Sequence, residues 1–101
     1  MGQPGFGITQ ATANTAVSVL TTSTLIIAAN SKRHGLTLVN DGAYPVYLFF
    51  GAGPAVANSG LRLNANGGAT QLDCNALWLG AVYGIAVGGT SNVTVAEFGQ
   101  S

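Results

Sequence analysis

From Ala16 onward, short apolar runs alternate with clusters of Gly, Asn, Asp and Ser, at the interval of about 8–12 residues expected of a β-sandwich or barrel. The pattern predicts strands over Ala16–Leu20, Thr24–Ala29, Gly35–Asn40, Tyr44–Phe50, Gly60–Leu63, Ala69–Asp73, Ala76–Leu79, Val82–Val87 and Asn92–Phe98. Successive side chains of a strand face opposite ways, so each run splits into two rows. Leu36 and Leu38 oppose Thr37 and Val39; Val46, Leu48 and Phe50 oppose Tyr47 and Phe49. Leu61 and Leu63 are expected inward with Arg62 outward, Tyr83, Ile85 and Val87 form a further apolar stripe, and Val93 and Val95 oppose Thr94 and Ala96. No run of useful length carries a helical period with capping residues.

The segments between the strands refine the picture. Asp41-Gly42 predicts a tight hairpin joining the strands on either side. Pro45 cannot donate to a ladder, which places it at a strand start or on an edge and favours Tyr44–Phe50 as an edge strand with an aromatic outer face. The longest loop, Gly51–Ser59, is small and apolar and suits packing against a partner. Residues 1–15 have no period, only Phe6 and Ile8 as anchors, and read as an extended arm; residues 16–101 read as one antiparallel β domain.

Charge changes the picture most. Asp, Glu, Lys and Arg make up 6% of the chain and the formal net charge is zero, against about 25% charged residues in an average domain. Little charge repulsion keeps copies apart, so the outer surface is solvated by Thr, Ser and Asn or covered in an assembly; an oligomer is the expectation. Lys32, Arg33 and Arg62 are the whole basic complement, which excludes a nucleic-acid surface. The most apolar region is interrupted by Ser and Thr, so no membrane span is expected. Cys74 is a lone cysteine, read as a small buried hydrophobe, and the lack of any intrachain disulfide suits a reducing compartment.

The chemical inventory predicts no enzyme, metal or cofactor. His34 is the one histidine, beside Lys32 and Arg33, and reads as a solvated turn residue; Asp41 belongs to its turn, and Asp73 and Glu97 are unremarkable as a carboxylate pair. One His and one Cys fall short of a zinc site, and the glycines of Gly84–Gly89 lack the lysine and helix of a phosphate loop. Asn92-Val-Thr94 matches a glycosylation sequon inside a predicted strand and is set aside. Trp78, Tyr83, Tyr44 and Tyr47 are candidates for a sugar-stacking platform, with core or interface packing preferred.

Five segments of Thr24–Phe98 form one pattern: Ser31-Lys-Arg-His-Gly-Leu-Thr-Leu-Val-Asn40, Val46-Tyr-Leu-Phe-Phe-Gly51, Leu63-Asn-Ala-Asn-Gly-Gly68, Ala76-Leu-Trp-Leu79 and the Val-x-Val-x-Glu-Phe ending at Val93–Phe98. In this pattern the chain resembles small virion proteins of tailed bacteriophages. The resemblance implies a jelly-roll-like β-sandwich on a capsid surface, assembled in the host cytoplasm. Such a protein acts as a decoration (cement) protein or head-fibre base, commonly as a homotrimer, with the major capsid protein or another virion protein as partner. The expected contact residues are Phe6, Ile8, Lys32, Arg33, Tyr44, Tyr47, Phe49, Pro54 and Val56. The alternative is a glycan- or receptor-binding module on a tail or fibre, with Trp78 and Tyr83 as its platform.

Overall fold

The computed structural model describes residues 9–72 and 78–100, with 9–14, 99 and 100 described as backbone. Eight strands and no helix are present among them: β1 Thr9–Val19, β2 Thr24–Ile27, β3 Arg33–Asn40, β4 Val46–Phe50, β5 Leu61–Leu63, β6 Gly68–Leu72, β7 Val82–Ala86 and β8 Ser91–Gln100. They form two antiparallel four-stranded sheets packed as a β-sandwich. Sheet A has the order β1-β8-β3-β6 and sheet B the order β2-β7-β4-β5. Every connection except β4 to β5 crosses from one sheet to the other.

The sandwich closes on the rows that the period of two defines. Val19, Leu36, Leu38, Val93 and Val95 from sheet A meet Ile26, Val46, Leu48, Leu63, Val82 and Ala86 from sheet B, all buried in one cluster. Each fully buried Val or Leu contributes about 1.5–3 kcal/mol over leaving it in water. The inward row of β7 is Val82, Gly84 and Ala86, not the expected stripe of Tyr83, Ile85 and Val87, which lies outward and half-buried. The reason is space. A Cβ on Gly84 would lie 2.6 Å from Ile26 Cδ1 and 3.2 Å from Val46 Cγ1, so the neighbouring strands already fill its place.

Three further expectations are corrected. Asp41-Gly42 does not make a hairpin: β3 belongs to sheet A and β4 to sheet B, and the turn carries the chain between layers. Pro45 does lie immediately before a strand, but β4 is interior, paired with β7 on one side and β5 on the other. Leu61 is not inside; it sits at the start of the short edge strand β5 and is 42% exposed, while Leu63 is buried.

At the N-terminal side, β1 begins at Thr9 and pairs along β8 from Thr9↔Gln100 to Val19↔Ser91. It thus takes in Thr9–Thr15 of the stretch read as an arm; residues 1–8 lie outside the described residues. Residues 73–77 also lie outside them, and Trp78 and Leu79, from the expected strand Ala76–Leu79, are not in a strand.

Candidate functional site: the outer face of sheet B

Alternation puts one row of each sheet-B strand in the core and leaves the other outside. The register sets Leu25 beside Tyr83 and Tyr83 beside Phe49, so these three make a continuous outward row across β2, β7 and β4. Leu25 is 45% and Phe49 40% exposed. The next row runs Ile85, Tyr47, Arg62, and the Arg62 guanidinium lies 5.9 Å from the Tyr47 ring centroid. Such a contact contributes about 0.5–1 kcal/mol at an exposed site, and it leaves the arginine stem lying on apolar surface.

The β4–β5 connection crosses this face. Gly53 lies on the ring of Tyr83, where a Cβ would fall 3.1–3.3 Å from three ring atoms. Beyond it the Ala55 N–H donates to Ser23 Oγ at 2.8 Å, just before β2, and the Ala55 side chain is buried. The loop expected to pack on a partner therefore packs first on its own sheet. It still presents Val56, 58% exposed, and Pro54, also exposed. The face as a whole is aromatic and aliphatic, with Arg62 its one ionisable cation among the described residues.

Of the expected contact residues, Tyr47 and Phe49 are on this face, and Pro54 and Val56 are on the loop that crosses it. Tyr44 is 40% exposed but stands away from them, against Gly88 and Gly89 after β7. Lys32 is exposed in its turn, its backbone N–H donating to Asn30 Oδ1 at 3.0 Å. Phe6 and Ile8 lie outside the described residues. The proposed Trp78–Tyr83 platform is not assembled. Trp78 packs edge-on against Phe50, ring centroids 6.4 Å apart, and its indole N–H donates to Ala81 O. Phe50 is on the inward row of sheet B and Tyr83 on the outward one.

Arg33 is the main correction. It is not a surface contact residue but 1% exposed. Its Nε donates to Glu97 Oε2 at 2.7 Å, Nη1 to Trp78 O and Gly80 O at 2.7 and 3.0 Å, and Nη2 to Ala28 O at 2.7 Å. The guanidinium thus ties the end of β2, the entry to β7 and β8 together. A planar fork of donors suits this task, where a lysine would supply a single point charge. The sequence does hold a signal for it. Glu97 continues the phase of Val93 and Val95, so period two places its carboxylate on the inward row, and a buried carboxylate needs a cation.

Asn40 is the second buried polar centre that the sequence reading missed, at the opposite end of β3. Its Nδ2 donates to Tyr44 O and Leu63 O, and its Oδ1 accepts from Gly42 N and Ser91 Oγ. All four bonding positions of the amide are used. This network turns the chain at Asp41-Gly42 from one sheet to the other.

The outer face of sheet A has a different chemistry. Thr37, Val39, Thr94 and Ala96 of this face, with Thr15 and Val95 beside them, line an open depression of about 380 Å³ with no ionisable group. Among the described residues no three His, Cys, Asp or Glu gather as metal ligands. No family model, curated protein or solved structure matches this chain.

Proposed function

We propose that this chain is a non-enzymatic jelly-roll subunit of a virus particle, a decoration or cement protein on the capsid of a tailed bacteriophage, assembled in the host cytoplasm. The observation that carries the reading is the apolar outer face of sheet B: Leu25 and Phe49 stand open on either side of the half-buried Tyr83, with an exposed Val56 on the loop that crosses the face, on a chain with almost no charge. A patch of that kind fits a protein contact, where aromatic side chains supply buried area at little entropic cost.

The strand orders support the jelly-roll part. The nested pairs β1–β8, β2–β7, β3–β6 and β4–β5 are those of a hairpin wrapped into two sheets, an architecture used by viral capsid and lectin domains. The virion motifs along Thr24–Phe98 point the same way. In this reading the partner is the major capsid protein or another virion protein. Many identical contacts, each of modest area, stabilise the shell without chemistry.

The test is a comparison of particles with and without the chain. Particles lacking it should release their genome at a lower temperature, and added wild-type chain should restore the higher one. A chain carrying Phe49→Ser and Val56→Ser should restore it only weakly. Equal heat stability of the two kinds of particle refutes the cement role. Binding of the purified chain on a glycan array would move it to a receptor-binding role.

A further inference from the structure

We infer that the open edge of β1 is a pairing edge for a second copy of this chain, joining two A sheets across a two-fold axis into one eight-stranded sheet. The inference starts from the ladder. Asp41 N–H donates to Asn92 O, one step beyond Asn40↔Val93, the last pair of the β3–β8 register, so Asp41 and Asn92 continue that register. Hydrogen-bonded pairs alternate along an antiparallel ladder. The backbone groups of Asn92, Thr94 and Ala96 therefore face β3, and those of Ser91, Val93 and Val95 face β1. Their partners on β1 are Val19, Val17 and Thr15. The N–H and C=O groups of Asn14, Ala16 and Ser18 consequently point to the other side, where β1 has no strand neighbour among the described residues.

Four edges are open in the two sheets, and β1 is unlike the other three. β2 and β5 have 4 and 3 residues, and β5 carries Arg62 at its centre. β6 has 5 residues, and by the same alternation only Ala69 and Gln71 present backbone groups outward. β1 has 11 residues without a charge or a proline, and its one register irregularity lies between Ala11 and Ala13, before the stretch in question. Edges that must stay solitary are kept short, charged, bulged or interrupted by proline; Asn14–Val19 has none of these.

The occupant follows from self-complementarity and charge. With Ala16 on the two-fold axis, Ala16 pairs with Ala16 of the second copy, and Ser18 with its Asn14. Three hydrogen-bonded pairs then form with the same hand as the β1–β8 ladder. On the core side Val17 comes to lie beside Thr15 of the other copy, covering a half-buried and an exposed side chain. Two uncharged strands of a chain with zero net charge meet without repulsion. The chain's own first eight residues are poor competitors for this edge, since they hold Pro4 and glycines at 2, 5 and 7. A two-fold contact of this kind does not build the trimer that the phage resemblance implies, and it holds whether or not the virion reading does.

The decisive measurement is the solution mass of the purified full chain by light scattering, from micromolar to submillimolar concentration. We expect twice the 10.1 kDa chain mass. Ala16→Pro should return the mass to that of one chain with an unchanged β-type circular dichroism spectrum, because the deleted N–H faces the open edge and makes no bond to β8. In a Cys74→Ser background, Ala16→Cys should cross-link to itself under mild oxidation, the paired Cα atoms being about 5.5 Å apart. Ser18→Cys should not, because the two copies of that position stand roughly 14 Å apart in this register. A wild-type chain that is monomeric or trimeric throughout overturns the inference, and so does a folded Ala16→Pro chain that keeps the doubled mass. Should Ala16→Pro fail to fold, the cross-linking pair decides: equal cross-linking at both positions, or at neither, refutes the pairing.

Discussion

Replacing Asn40 with alanine removes a side chain that is 0% exposed and makes four hydrogen bonds. What remains is a buried Ser91 hydroxyl, the Gly42 N–H and the carbonyls of Tyr44 and Leu63, each without its amide partner. A net bond is worth about 0.5–1.5 kcal/mol, and leaving a buried partner unsatisfied costs about 1–3 kcal/mol. Water can reach the Gly42 and Tyr44 groups, so the sum falls at about 3–5 kcal/mol. A domain of this size has about 5–15 kcal/mol in all. The variant should therefore melt on the order of 15–25 °C lower. Urea titration followed by tryptophan fluorescence and circular dichroism reads the change directly. Ser91→Ala, which deletes the hydroxyl together with its need for a partner, should lose only about 1 kcal/mol. Asn40→Asp puts a carboxylate against two carbonyl oxygens. Burial and those dipoles raise its pKa above the unfolded value of about 3.9, so its penalty is full at pH above the raised folded value and shrinks on acidification from there down to about 3.9. A loss below about 1 kcal/mol for Asn40→Ala would refute the view that this amide holds the crossing between the sheets.

Glu97→Gln keeps the shape of the side chain but leaves the Arg33 charge without its counter-charge in the interior; a loss of about 2–4 kcal/mol in urea unfolding is expected. Gly42→Ala should destabilise by more than about 2 kcal/mol, because its Cβ would strike Ser91 Oγ and lie 2.6 Å from Asn92 N, and a melting curve checks it. Phe49→Ser with Val56→Ser should cost about 1–2 kcal/mol, since Val56 is 58% exposed but Phe49 only 40%, and a melting curve checks that the variant stays folded while particle association weakens.

The strands of the core were legible where size and period agree. Leu36, Leu38, Val93 and Val95 are apolar residues at spacing two with a threonine between each pair, and they lie inside. β7 misleads because its outward residues, Tyr83 and Ile85, are larger than the inward Gly84 and Ala86. The volume of a site is set by Ile26 and Val46 on other strands, which no local window contains. The first half of β1 was illegible because Thr, Ala and Asn give a strand no contrast between its faces. The Asp-Gly turn fits a hairpin as well as a crossing, and Asn40 decides between them through Leu63 and Ser91, which stand 23 and 51 residues away. The outer face of sheet B was legible in Tyr47 and Phe49. Its extension to Leu25 and Tyr83 needed the register, which only the folded chain supplies.

The place of β8 between β1 and β3 has a consequence for synthesis. A ribosome delivers β1 and β3 long before Ser91–Gln100, so sheet A lacks its middle strand until those residues emerge. The nascent chain carries β1 and β3 with unfilled backbone groups until β8 is made, and the loop closure that brings β1 to β8 joins Thr9–Val19 to Ser91–Gln100. Such distant pairing slows folding. Until β8 closes the sheet, the chain is therefore exposed to its own copies, made on neighbouring ribosomes.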